Sequence, residues 1–128
     1  MRGTLDLSTE QAAAAVEATA EVNDKNLQQI VEISFQRVRP TSDEVRLIRL
    51  ISENPERYAS ELESMYGGGF NLDVGHLVYF RYGFFRKFVT AKERISDIII
   101  DKDNSSGRMF YRGFRPEVLA AFKILKLV

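Results

Sequence analysis

"HLVYFRYGFFRKF", residues 76–88, holds six aromatic rings and three Arg or Lys side chains. As a strand it would display rings to nucleic-acid bases; as a helix it would bury the rings and leave the charges outside. At about 100° per residue, Leu77, Val78, Phe80, Tyr82, Phe84, Phe85 and Phe88 share one broad face, opposite His76, Tyr79, Gly83, Arg86 and Lys87. Arg81 alone is misplaced. In a strand the odd positions would mix Leu77, Tyr79, Arg81, Gly83, Phe85 and Lys87 without order. The spacing therefore predicts a helix over residues 73–89. Phe80, Phe84 and Phe88 would then be buried, and Arg86 and Lys87 exposed.

The rest of the chain carries helix signals of the same kind. Ser8 with Gln11, Thr41 with Glu44 and Thr90 with Glu93 fit the capping box, in which two side chains satisfy each other's free backbone N–H groups. Pro55 after Asn54 and Pro116 after Arg115 suit the first helical position, where a missing N–H costs nothing. "STEQAAAAVEATAEV" and "NDKNLQQIVEISFQRV" have helical spacing. Val45, Ile48 and Ile51 line one helix face, and Tyr58, Leu62 and Met65 another. Gly67 to Gly69 reads as a helix stop, since no Gly-Lys-Ser/Thr follows to make a phosphate loop. A helix is expected from Ala91 to about Ile100, followed by the polar loop "DKDNSSG". "RMFYRGF", residues 108–114, is either a short strand paired with "DIII" or an extended segment. The last segment puts Val118, Phe122, Leu125 and Val128 on one side, with Lys123 and Lys126 opposite.

A chain of 128 residues fits one domain, and its 45% apolar content is ordinary for a globular protein. No apolar run approaches the ~18 residues needed to span a bilayer. The start, "MRGTLDLSTEQ", has no apolar stretch behind its Arg, so no secretory signal is expected. Without Cys there is no disulfide or thiolate chemistry, which suits a reducing cytoplasm. The expected fold is mainly α: one domain over residues 1–128, a bundle of about five to seven helices, with room for a short β-hairpin near residues 98–114.

The net charge of zero hides a division. Residues 1–74 carry 7 Lys or Arg against 13 Asp or Glu, and residues 75–128 carry 11 against 5, so the halves are −6 and +6. Ten of the 14 aromatic residues also lie in the basic half. Arg86, Lys87 and Arg94 can share an outer surface, and Arg108, Arg112, Arg115, Lys123 and Lys126 add a second basic cluster. Such arrays neutralise phosphates, and Tyr79 or Tyr111 would offer a ring to an unstacked base. An acidic protein partner would suit the same face. Arg81, in the middle of an apolar stripe, belongs either to a buried ion pair or to an interface.

Catalysis finds little support in the residues. The single His, His76, has no Ser or Asp motif around it, and the pairs Glu61 with Glu63 and Asp97 with Asp101 are what solvated helix faces ordinarily contain. Asp101, Asp103, Asn104 and Ser105 begin like a calcium loop, but Gly107 is seventh rather than sixth and Arg112 stands where a bidentate Glu is required. No enzyme activity, cofactor or metal is expected.

A helical, cysteine-free chain with basic surface residues such as Arg86, Lys87, Arg108 and Arg112 resembles the small subunit of CRISPR effector complexes of the Cascade type. The resemblance implies a helical bundle present in more than one copy, holding nucleic-acid backbone with Arg and Lys inside a larger complex. Phage structural or inhibitor proteins share the silhouette. The expected function is a non-catalytic, sequence-independent nucleic-acid-backbone-binding subunit, contacting single-stranded DNA or RNA and other protein subunits, with copies able to associate in a row. The alternative is a protein-interaction module, such as a viral adaptor or inhibitor, with an acidic partner.

Overall fold

The computed structural model describes residues 26–87 and 95–128. The capping boxes at Ser8 and Thr90, the Ala-rich segment, Phe88 and Arg94 lie outside the described residues. The described chain is mainly α, with seven helices and a small three-stranded antiparallel sheet. No helix among these residues is long and apolar enough to cross a membrane.

Helix α1 (Leu27–Arg37) buries Leu27, Ile30, Val31, Ile33 and Phe35 along one side. It stops before Pro40, which disfavours helical backbone at Arg39. Helix α2 (Ser42–Glu53) opens on the capping box read at Thr41: its hydroxyl accepts the Glu44 N–H at 3.1 Å, and Glu44 Oε1 accepts the Thr41 N–H at 2.8 Å. Leu47, Ile48 and Ile51 are fully buried, and Val45 packs partly buried against the core.

The helix start expected at Asn54 is instead the end of α2. Asn54 Nδ2 donates to the Leu50 carbonyl at 2.9 Å, and Glu56 takes a left-handed φ of 56°. The next two residues are drawn into a strand, β1 (Arg57–Tyr58), by pairing with residues far along the chain. Helix α3 (Ala59–Tyr66) therefore begins after Tyr58, whose N–H donates to Glu61 Oε1 at 3.0 Å. Its buried residues are Leu62 and Tyr66, whereas Met65, expected on the inner face, is 46% exposed. Gly67, at φ 99° and ψ −166°, ends α3 as the triple Gly implied.

Of the helix expected over residues 73–89, the described part, 73–87, is not one continuous helix. Helix α4 (Phe70–Tyr79) stops at Phe80, and a one-turn helix α5 (Tyr82–Phe85) follows a corner at Arg81. There the Arg81 N–H bonds to the Val78 carbonyl at 3.0 Å, a tighter i−3 bond. Arg81 stays on the inward face where the wheel placed it, 2% exposed. Leu77, Val78, Phe84 and Phe85 stay buried, but Phe80 and Tyr82, expected inside, face outward.

Helix α6 (Ile95–Ile99) leads directly into strand β2 (Ile100–Asp103), so the helix expected through Ile100 ends one residue early. Strand β3 (Phe110–Phe114) pairs antiparallel with both β2 and β1, giving the order β1-β3-β2. The short hairpin allowed for near residues 98–114 is this β2–β3 pair, but β3 pairs with residues 100–103, which the sequence assigned largely to the polar loop, whereas Asp97–Ile99 of the expected partner "DIII" lie in α6. Its register slips between Asp101 and Lys102, which face Gly113 and Tyr111 and leave Arg112 unpaired as a bulge. Helix α7 (Pro116–Ile124) begins with Pro at its first position. Phe122 joins the layers, its ring 5.1 Å from Phe35 on α1 and 4.9 Å from Phe114 on β3, both edge to face. Leu125 packs partly buried beyond α7, whereas Val128, expected on the same side, is 38% exposed.

Candidate nucleic-acid interface

Arg81 explains the corner. Its guanidinium is fully buried: Nη2 lies 3.1 Å from Glu44 Oε1, Nη1 donates to the Leu77 carbonyl at 2.9 Å, and Nε donates to the Val38 carbonyl at 3.0 Å. The Phe35 ring covers it, 4.1 Å from Cζ to centroid. Of the two settings open to this residue, the structure shows the buried ion pair. A guanidinium so fully bonded is tolerated in a core, because each donor lost to water finds another acceptor.

The bond from Arg81 to Val38 brings the end of α1 beside the α4–α5 corner. Arg37, Val38 and Arg39 are exposed there, as are Arg86 and Lys87 at the end of α5. Arg37 and Lys87 both lie over the Phe84 ring, at 4.7 and 5.7 Å from its centroid. Thus Arg86 and Lys87, paired in the sequence reading with Arg94, are joined in the structure by Arg37 and Arg39 from a separate helix. Neither residues 36–39 nor residues 76–87 contain an acid. Among the described residues no carboxylate pairs with Arg39 or Arg86.

The second basic cluster is arranged differently. The bulge directs Arg112 onto its own hairpin, 2.9 Å from Asp103 and 3.8 Å from Asp101. Arg115 donates twice to the Asp97 carbonyl, at 2.9 and 3.3 Å, and Lys102 pairs with Asp97 at 3.4 Å. Arg108 stacks on Tyr58 at 3.9 Å and donates to Ser60 at 3.3 Å. Residues 97–115 carry three acids against four bases, so this surface is nearly balanced. The Ser105 N–H, donating to Asp103 at 2.8 Å, is the chief reason that this carboxyl titrates below its ordinary range; the charge of Arg112 adds to it. Lys123 and Lys126 are exposed at the far end of α7, apart from the hairpin pairs.

The two tyrosines read as stacking platforms part company. Tyr79 is 72% exposed, but Tyr111 is buried against Phe70, with ring centroids 5.9 Å apart. It lies on the inward side of β3, and burial, with the charge of Asp97, raises its pKa. Tyr111 is therefore a core residue. The carboxylates weighed as catalytic pairs are held by neighbours: Glu61 by Arg57 at 3.5 Å, Asp97 by Lys102 and Asp101 by Arg112. His76 is half-buried, its Nδ1 3.7 Å from Asp73. Asp73 also accepts the Tyr66 hydroxyl at 2.5 Å; burial and this carboxylate push the Tyr66 pKa up to about 12. Among the described residues no three His, Asp or Glu side chains gather as a metal site requires.

Sequence reasoning missed Arg37 and Arg39, because nothing local marks the end of α1 as a neighbour of residues 80–87. A signal was present in the absence of acids from both segments. Compared with known protein families, curated proteins and solved structures, the chain matches none.

Proposed function

We propose that this chain is a non-catalytic subunit that binds nucleic-acid backbone without sequence choice, through the exposed corner where Arg37, Arg39, Arg86 and Lys87 gather. The observation that carries this reading is that exposed cations at the ends of α1 and α5 come together, with Arg37 and Lys87 both over the Phe84 ring, and that among the described residues no carboxylate pairs with Arg39 or Arg86. Phosphates spaced along a strand meet such a surface by releasing their condensed counterions, which favours binding whatever the base sequence. The reading extends to a subunit of a larger nucleoprotein assembly, such as a CRISPR effector, in which copies lie in a row. The −6 and +6 halves support that extension.

Binding to single-stranded and duplex oligonucleotides across a salt series tests the proposal. Affinity should fall as salt rises. Reversing Arg86 and Lys87 to Glu should weaken binding similarly for all sequences and lower the salt slope by roughly 1.5, two phosphate contacts at ~0.7–0.9 each. A wild-type protein with no salt-dependent affinity for any oligonucleotide would refute it.

One feature favours a second reading, a protein-interaction module. The outer face of α2 and the end of α3 enclose a groove of about 730 Å³, floored by Val45, Leu50 and Met65 and bordered by Arg46 and Arg49. An amphipathic partner would suit its apolar floor, with acidic groups toward Arg46 and Arg49 and away from Glu53, which also lines the groove.

A further inference from the structure

Arg81 and its neighbours invert the usual arrangement of a protein surface. The charge is inside, 2% exposed, while the rings on either side of it, Phe80 and Tyr82, are 49% and 50% exposed. With Tyr79 they form a ledge of three outward rings within four residues. Every other described aromatic side chain is buried or half-buried, so the exposure is concentrated at one place. The ledge has internal order: Phe80 meets Tyr79 edge to face at 5.6 Å, and its other side rests on His76 at 4.9 Å.

The surroundings of the ledge indicate what covers it. The Arg86 N–H bonds to the Tyr82 carbonyl at 2.9 Å, placing that cation one helical turn from the Tyr82 ring. Val38, which accepts the Arg81 bond, brings the chain at Arg37 and Arg39 beside the same turn. A purely apolar partner would offer no opposite charge to the exposed Arg39 and Arg86, and a folded acidic protein offers no regular series of flat faces. An unpaired nucleic-acid strand presents both features together, phosphates on one edge and bare base faces on the other. Duplex bases are already stacked on one another and can meet only the cations.

We infer that Tyr79, Phe80 and Tyr82 stack against unpaired bases while Arg37, Arg39, Arg86 and Lys87 hold the adjoining phosphates, so that this face selects single strands over duplex. The inference rests on the backbone-binding reading and adds the identity of the bound form.

The experiment compares three probes on the wild-type protein: a homopyrimidine single strand, its duplex, and an abasic strand of equal length that keeps the phosphates and lacks the bases. The wild type should bind the single strand roughly ten- to a hundred-fold more tightly than the abasic strand, the range expected from one or two stacked bases. Tyr79→Ala combined with Tyr82→Ala should remove most of that difference, leaving the share of Phe80, and should keep abasic and duplex binding within about twofold of wild type. These residues are exposed, so circular dichroism should be unchanged. Reversal of Arg86 and Lys87 to Glu should weaken binding of all three probes. Equal, salt-dependent affinity for base-bearing and abasic strands would overturn the stacking inference while sparing the backbone reading. Absence of binding to every probe would overturn both.

Discussion

Arg81 decides how residues 76–88 are used. A wheel flags it as the one charge within an apolar stripe, and physical chemistry then demands a partner. The partner, Glu44, lies 37 residues away and is also half of the capping box that opens α2. One carboxylate therefore stabilises a helix start and neutralises a buried guanidinium. Removing the arginine would strand that carboxylate in the core. Arg81→Met is expected to lower the folding free energy by about 3–5 kcal/mol, read as an earlier midpoint in urea unfolding. Replacing an exposed cation such as Lys123 should change it by less than about 0.5 kcal/mol. That Arg81 needed a partner was legible in the sequence; that the partner was Glu44 was not, since an acid at a capping position looks the same whether or not it also meets an arginine.

Element boundaries were legible wherever their cause is local. Thr41 with Glu44, Pro116 and Gly67 act through backbone groups within a few residues, and each stands where the sequence placed it. Gly67 combines φ 99° with ψ −166°, a region that residues with a Cβ seldom enter, and an added Cβ there would meet no atom within 4 Å. Gly67→Ala should consequently cost about 1–3 kcal/mol through backbone strain rather than crowding. Thermal or urea unfolding measures this, and Gly68→Ala, at a glycine without positive φ, serves as the contrast. Strand β1 shows the opposite case. Arg57 and Tyr58 carry no strand pattern of their own, and they extend because Tyr111 and Phe110 are there to pair with them. Pairing of that kind took the residues expected to begin the helix after Asn54.

At the scale of the whole molecule, few ion pairs among the described residues join the two oppositely charged halves. Among the described residues the one ion pair of an Arg or Lys that joins them is Arg81 with Glu44; the others stay within a half. Surface charge of each sign is left available to a second copy, and a heterologous contact continues in a row unless geometry closes a ring. Light scattering after size exclusion should show a mass that rises with concentration at low salt and returns to the monomer at high salt, as exposed pairs are screened beyond ~8 Å at physiological ionic strength. A monomeric mass at high concentration and low salt would count against self-stacking. By itself the sequence determined the helical class, the caps at Thr41 and Pro116 and the segregation of charge, because each follows from composition or from neighbours a few residues apart. Only the tertiary structure decided that the stripe breaks at Arg81, that Phe80 and Tyr82 face outward, and that Arg37 and Arg39 join Arg86 and Lys87. These outcomes follow from satisfying one buried charge, whose acceptors lie on α1, α2 and α4 and are brought together by folding alone.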